Sequence, residues 1–199
     1  MAYQKQYTIL IKGKSGIKME EIFIRSLVQE DLMLFYTMGS DTEACRASGA
    51  HPAADIVQAQ LQLETAMKNG NCFAIVQRQS LKPVGLIYAS PDIHRLNRKA
   101  YMLSYRLDRN YWGRGYMPQA VKYMLKFLFM NCGADVVSVA HFTENLRSIR
   151  VIVKCGFGNE GTIRREFAHW DGRILDSCVY SMLYEEYKKL YAGDNTEGR

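Results

Sequence analysis

The chain has 199 residues, of which 48% are hydrophobic and 23% are charged, and its net charge is +6. This composition is that of an ordinary globular protein, with enough apolar residues for one core. No apolar run approaches the ~20 residues of a membrane span, and the N-terminus lacks the apolar core of a signal peptide. A cytoplasmic protein that does not contact membranes is therefore predicted.

Cysteine and charge patterns exclude further classes of protein. The five cysteines are Cys45, Cys72, Cys132, Cys155 and Cys178. Their number is odd, and there is neither a CxxC motif nor a His/Cys cluster with zinc spacing, which favours reduced, buried thiols and no metal site. The basic residues are scattered and form no dense stripe, so nucleic-acid binding is not expected.

The first half of the chain predicts a strand, two helices and three strands. Residues 22–27 alternate like a strand, and residues 28–39 are typical of a helix that ends at a glycine. Residues 40–55 are rich in turn formers and indicate a loop or a broken helix, and residues 56–70 have helical spacing. Three apolar or alternating runs then predict strands. These runs are residues 72–77, 83–90 and 100–107.

The second half alternates helices and strands. Apolar residues recur every three or four positions over 118–130, which predicts a helix, and 135–142 is the next strand. The segment 144–157 predicts a short helix with Leu146, Ile149 and Ile152/Val153 on its apolar face. Asp171-Gly172 is a hairpin signal between two further strands, and residues 184–191 predict a terminal helical turn or two.

This order of elements predicts an α/β fold. We expect a mixed, mostly antiparallel sheet of six to seven strands flanked by helices, with a βαβ unit in its second half. Residues 1–18 are interpreted as an N-terminal extension, residues 19–191 as a single domain, and residues 192–199 as a disordered tail.

The segment "NYWGRGYMPQA" (residues 110–120) lies between a strand and a helix. A glycine-rich turn before a helix suits an anion, because glycine lets the backbone approach a phosphate and the first N–H groups of the helix lack internal partners. The spacing matches neither GxGxxG nor GxxxxGK[ST]. Taken alone, this stretch is therefore either a plain turn or an anion-binding loop.

A second segment adds specificity. "HFTENLRSIRVIVKCGF" follows the next strand and places Asn145 at a helix start, where it is a candidate N-cap, with Ser148 three residues later. Together with "LSYRLDRNYWGRGYMPQA" and "DGRILDSCVYSMLYEEY", it makes the chain resemble the GNAT acetyltransferase superfamily over roughly residues 20–191. It is most similar to the branch of ribosomal-protein-alanine N-acetyltransferases.

The resemblance implies acetyl-CoA as the acetyl donor. The pyrophosphate motif of the family falls on Trp112, Gly113, Arg114, Gly115, Tyr116 and Met117. Trp112 replaces a Gln or Arg, and Met117 replaces a small residue and could narrow the space around the phosphates. The strand end Tyr105, Arg106 and Leu107 would pair with the pantetheine arm, and a splay between this strand and the next would admit the cofactor.

By resemblance, a primary amine attacks the thioester directly, which calls for a route for the amine proton and an acid for the thiolate. The tyrosine that many members use as this acid is replaced here by Ile152. Ser148 is then the candidate acid or a second cap hydroxyl, and Asn145 would hold the pantetheine or order a water. His141, beside Glu144, is a candidate base, a structural histidine being the alternative, and a water chain without a single base is a third possibility.

The acceptor stays open between a protein N-terminus and a small-molecule amine, and His51 is a possible contact to it. The protein is expected to be a monomer or a homodimer, because exposed strand edges invite pairing. A non-catalytic acyl-CoA-binding sensor is the alternative to an enzyme, since the tyrosine acid and the strand glutamate of some relatives are missing.

Overall fold

The computed structural model describes residues 21–191, so the proposed extension and tail lie outside the described residues. The strands are β1 (Ile22–Ser26), β2 (Cys72–Gln77), β3 (Pro83–Pro91), β4 (Ala100–Leu107), β5 (Val136–Phe142), β6 (Gly158–Ala168) and β7 (Ile174–Leu183). The helices are α1 (Leu32–Ser40), α2 (Thr42–Ser48), α3 (Ile56–Asn69), α4 (Tyr116–Met130), α5 (Leu146–Lys154) and α6 (Tyr184–Tyr191). Short 3-10 turns occupy Gln29–Asp31 and Arg109–Tyr111.

The seven strands follow the order β1-β2-β3-β4-β5-β7-β6. The pairs β1–β2, β2–β3, β5–β7 and β6–β7 are antiparallel, whereas β4 and β5 are parallel. The predicted mostly antiparallel α/β sheet with one βαβ unit is therefore confirmed. Within residues 21–191, no helix has the length and apolar content needed to cross a membrane.

Three local predictions need adjustment. The turn-rich segment after α1 contains the helix α2, because the side chain of Asp41 accepts a hydrogen bond from the Ala44 amide and caps it. Helix α4 starts at Tyr116, so that Pro118 lies in its first turn, where a missing N–H costs nothing. The predicted apolar face of α5 is wrong in part, because Leu146 and Val153 are more than half exposed while Ile152 is buried.

The chain divides into two compact units. Of the described residues, the first contains 21–88 together with Tyr105–Ala120. Its core is one cluster to which β2 and β3 contribute Ala74, Val76 and Leu86, and to which α1 and α3 contribute Phe35 and Leu63 among others. The strand residues alternate with a period of two, so one sheet face supplies them all.

Of the described residues, the second unit contains Ala89–Ser104 and 121–191. Its fully buried side chains include Met124, Leu125, Val137, Ile152 and Met182. They come from α4, β5, α5 and β7. Each of these predicted elements therefore contributes apolar side chains to the buried interior of the second unit.

Candidate active site

The loop Trp112–Met117 of the first unit contains two glycines in the left-handed region of backbone conformation. Gly113 has φ +76° and Gly115 has φ +79°, and a Cβ at either position would meet no atom within 4 Å. Backbone conformation, and not crowding inside the protein, is therefore what requires glycine here. The loop leaves its backbone accessible immediately before the first turn of α4, which is the arrangement that suits an anion.

Both ends of this loop are anchored. The indole Nε1 of Trp112 donates to the carbonyl oxygen of Leu107 at 2.8 Å, and the hydroxyl of Tyr116 accepts a hydrogen bond from Gln77 Nε2 at 2.8 Å. Met117 is 5% exposed, so this side chain is accommodated inside the protein. The Trp112 hydrogen bond and the burial of Met117 thus hold the two ends of the loop in place.

Arg114 is the exposed cation of the loop. Its side chain is exposed, and its guanidinium lies 5.2 Å from the ring centroid of Tyr111. By contrast, Arg109 is committed to ion pairs with Asp41 and Glu43 at 2.7 and 3.0 Å. Of these two arginines, only Arg114 can turn toward a ligand without breaking an ion pair.

At the end of β4, successive peptide groups point alternately toward β3 and away from it. The pairing of β4 with β5 runs from Ala100 to Leu103, so Tyr105–Leu107 lie beyond it. The Asp108 amide donates to the Val84 carbonyl of β3 at 2.9 Å. Because peptide groups alternate along a strand, the N–H and C=O of Arg106 also face β3, and those of Tyr105 and Leu107 face away from it. The expectation that Arg106 pairs with a cofactor through its backbone is therefore disfavoured.

In the second unit, Asn145 caps α5. Its side-chain oxygen accepts a hydrogen bond from the Ser148 amide at 3.1 Å, as the N-cap prediction requires. Ser148 is 9% exposed, and Ile152, which stands where many family members have a tyrosine, is 1% exposed. The structure thus gives Asn145 a capping role and places Ser148 in the first turn of α5.

His141 lies in β5 with a defined tautomer. Its Nδ1 atom lies 2.7 Å from the backbone carbonyl oxygen of Phe142, which can only accept a hydrogen bond, so Nδ1 carries the proton. Nε2 of the neutral ring is then a lone pair, and it is buried without a hydrogen-bond partner among the described residues. The residue itself is 6% exposed, and its ring packs 5.6 Å from that of Tyr180.

The other candidate residues either pair with other side chains or are exposed to solvent. Glu144 pairs with Arg173 at 2.7 Å, which commits its carboxylate to an ion pair. His169 pairs with Asp171 at 2.6 Å and His94 with Glu166 at 2.7 Å. His51 is exposed, and the side chain of Gln62 donates to its backbone carbonyl.

Sequence reasoning missed a buried polar network in the second unit. The Asp92 side chain is fully buried, and it accepts hydrogen bonds from Ser138 Oγ at 2.6 Å and from the His94 amide at 2.9 Å. Arg95 joins Asp92 to Glu160, which also accepts from Ser181 at 2.7 Å. Burial opposes ionisation of Asp92, but these donors outweigh it and hold its pKa below the usual value. No sequence pattern marks this network, because its members come from distant segments.

The Arg106 side chain of the first unit lies in a second polar environment that the sequence did not reveal. Its guanidinium lies close enough to Cys45 and Tyr88 to oppose the effect of burial on their pKa values. An arginine in an alternating strand is typical of an exposed position, so nothing in the sequence indicated this environment.

Comparison with known proteins identifies the family to which these features belong. The family model of the acetyltransferase (GNAT) domain matches residues 21–158, more than half of the chain. A protein named as an uncharacterized N-acetyltransferase, p20 of Bacillus licheniformis, is 25% identical over 173 residues, which are 84% of this chain and 96% of that protein.

Two solved structures share the fold. A spermidine N-acetyltransferase from Vibrio cholerae, solved with CoA and spermine, has a TM-score of 0.71 at 16% identity, covering 84% of this chain and 98% of that one. A ribosomal-protein-S5-alanine acetyltransferase from Vibrio fischeri has a TM-score of 0.65 at 22% identity, covering 86% and 98%. The chain is thus an acetyltransferase, and it belongs to the GNAT family.

Proposed function

We propose that this enzyme transfers the acetyl group of acetyl-CoA to a primary amine by direct attack of the amine on the thioester. The observation that carries the proposal is the loop Trp112–Met117, whose two left-handed glycines precede α4 in a chain of the GNAT family. Membership of the family supports acetyl transfer to an amine in general. The roles of particular residues are our proposals.

The proposed cofactor contacts are distributed along three segments. The backbone N–H groups from Gly113 to Met117 would bind the pyrophosphate, and Arg114 would turn toward it from the ring of Tyr111. The peptide groups of Tyr105 and Leu107, which face away from β3, would pair with the pantetheine arm. Asn145 and Ser148 would contact the cofactor at the start of α5.

The proposed chemistry needs one base and one acid. The Nε2 lone pair of His141 would accept the proton of the attacking amine as the N–C bond forms. As the C–S bond breaks, the departing thiolate would take a proton from the hydroxyl of Ser148. His141 is preferred to a chain of waters because its tautomer is fixed and Nε2 has no other partner among the described residues.

The acceptor is proposed as either a protein N-terminus or a small-molecule amine. The Vibrio fischeri protein is named for the first kind of acceptor and the Vibrio cholerae protein for the second. A monomer or a homodimer is equally compatible with this reaction. The five cysteines are free thiols, which supports the proposed cytoplasmic location.

Two measurements on the full chain test this function. A ligand at 100 times its dissociation constant stabilises a protein by about 2.7 kcal/mol, so millimolar acetyl-CoA should raise the melting temperature clearly. A panel of primary amines, with release of the CoA thiol as readout, should then yield at least one acceptor. Binding of acetyl-CoA with no amine above background would support the sensor alternative, and absence of any thermal shift would refute the cofactor assignment.

A further inference from the structure

Strand β6 of the second unit contains a bulge that carries two arginines. The pairing of β6 with β7 shifts between Ile163 and Phe167, so residues 164–166 lie opposite a single residue, Asp176. Arg165 has φ +54°, a left-handed conformation that is uncommon for residues other than glycine. Its amide donates to Oδ1 of Asp176 at 2.8 Å, which holds the bulge in this conformation. Bulges of this kind turn side chains away from the regular strand, and they are frequent at functional edges.

The charges of the two arginines in the bulge are not neutralised by the described part of the protein. Arg164 and Arg165 are exposed, and neither forms an ion pair among residues 21–191. Glu166, the acidic residue of the same bulge, pairs with His94 at 2.7 Å. Asp176 accepts the Arg165 amide but makes no ion pair with either guanidinium within these residues. The bulge therefore presents two cationic groups to solvent.

Other charged side chains of the second unit are paired with each other. Glu160, the second acidic residue of β6, forms an ion pair with Arg95. Arg173 pairs with Glu144 at 2.7 Å and with Asp171 at 3.0 Å. Since both acidic residues of β6 are paired, the strand has an excess of positive charge at its bulge.

Strand β6 also offers a backbone edge. It stands at one end of the sheet, so its outer side has no partner among the described strands, and most of its residues are exposed. An extended polypeptide can pair with such an edge through its own peptide groups, which a polyamine or a nucleic acid lacks. Two unpaired arginines repel a polyamine and attract carboxylates. The edge therefore fits an extended acidic peptide.

The bulge lies near His141, the proposed base, within the same unit. Phe142 directly follows His141 and pairs with Ser177 of β7, which pairs in turn with Ile163 beside the bulge. On the other side of the bulge, the ring of Phe167 lies 5.1 Å from that of Phe142. Two strand spacings amount to about 10 Å, a distance that about three extended residues cover. A peptide bound at the bulge would therefore reach the end of β5 with its first residues.

We propose that Arg164 and Arg165 bind acidic side chains of a polypeptide acceptor, so that the amine acetylated is a protein N-terminus with carboxylates about three to five residues behind it. The inference rests on the acetyl transfer proposed above and selects between its two kinds of acceptor. Charges and a bulge also protect an edge strand from pairing with another copy of the chain. That protective role alone predicts no preference among acceptors.

The test compares three peptides of equal length and identical first residue on the full chain, with CoA release as readout. One carries aspartates at its fourth and fifth positions, the second carries asparagines there, and the third carries the aspartates six positions further along. The wild type should favour the first peptide over the other two in kcat/KM by at least about fivefold at low ionic strength. This preference should shrink as salt is added, because exposed charges are screened.

A double variant, Arg164→Gln with Arg165→Asn, should abolish the preference. Asparagine is chosen at position 165 because it tolerates the left-handed conformation. The control is Arg98→Gln, which removes one charge from another exposed position of the same unit and should leave the preference unchanged.

Equal rates with the aspartate and asparagine peptides in the wild type would refute the proposal, whether or not the double variant folds. The same conclusion would follow from a double variant that keeps the wild-type preference, or from a polyamine that is acetylated faster than every peptide. Failure of the acetyl-transfer assignment looks different, because then neither a peptide nor a polyamine releases CoA.

Discussion

The side-chain oxygen of Asn145 lies 3.1 Å from the backbone nitrogen of Ser148 and caps helix α5. Asn145 and Ser148 are both assigned to the cofactor by the family resemblance, and they are therefore also joined to each other by a structural hydrogen bond. A substitution of either one changes the helix start as well as any catalytic contact, so stability and turnover have to be measured side by side.

Asn145→Ala should lower the free energy of unfolding by about 0.5–2 kcal/mol, because the Ser148 amide loses its side-chain acceptor. Asn145→Ser should recover most of this stability, since serine is also a good N-cap. If Asn145 contacts the cofactor as well, the serine variant will still show a raised KM for acetyl-CoA. Chemical denaturation and steady-state kinetics on both variants separate the two roles, and a serine variant with normal KM would assign Asn145 to capping alone.

Ser148→Ala should lower kcat by roughly 10²- to 10⁴-fold if its hydroxyl protonates the thiolate, the range usual for a general acid. Its effect on the acetyl-CoA-induced thermal shift should be small by comparison. The capping bond uses the backbone amide of residue 148, so the substitution leaves it in place. Equal losses of binding and turnover would instead indicate a contact to the cofactor without an acid role.

His141→Gln should reduce kcat by about 10²-fold or more at neutral pH, because an amide has no basic lone pair to receive the amine proton. His94→Gln is the matched control, because His94 pairs with Glu166 and has no assigned catalytic role. A variant that keeps the wild-type kcat would favour the water chain.

Gly115→Asp should abolish the thermal shift produced by acetyl-CoA. The substitution places a Cβ and a carboxylate at the proposed pyrophosphate site and strains a backbone with φ +79° by about 1–3 kcal/mol. Gly133→Asp provides the control, because Gly133 has φ +64° and equally open surroundings. The Gly133→Asp variant should lose a similar amount of stability and keep the thermal shift produced by acetyl-CoA. Loss of the thermal shift in both variants would contradict a specific role for the loop.

Asp92→Asn should lower the free energy of unfolding at pH 7 by roughly 1–3 kcal/mol, because Arg95 loses a charge-assisted partner in a buried network. The folded-state pKa of Asp92 lies below the unfolded value of about 3.9. The carboxylate therefore contributes its stability above about pH 4 and loses it as the pH falls through the folded pKa. Urea titrations between pH 3 and 7 should show the wild type converging on the variant in acid; a difference independent of pH would contradict this assignment.

Local patterns in the sequence were sufficient for the strands, for the helices other than α2 and for the glycine turn before α4. The alternation in β2 and the apolar spacing in α4 are properties of short windows, and Gly113 and Gly115 signal a left-handed turn wherever they occur in such a context. The apolar face of α5 was harder to predict, because periodicity shows which residues share a face but not how much of it a neighbour covers. Leu146 and Val153 remain exposed for that reason.

The sequence by itself determined the strands, the helices other than α2, the glycine turn before α4 and the cap at Asn145, because each depends on residues a few positions apart. Only the tertiary structure decided that the Nδ1 proton of His141 is held by a backbone carbonyl, that Asp92 is enclosed by Ser138 and Arg95, and that Arg106 lies near Cys45 and Tyr88. These environments arise from segments far apart in the chain, and hydrogen bonding and burial act through space.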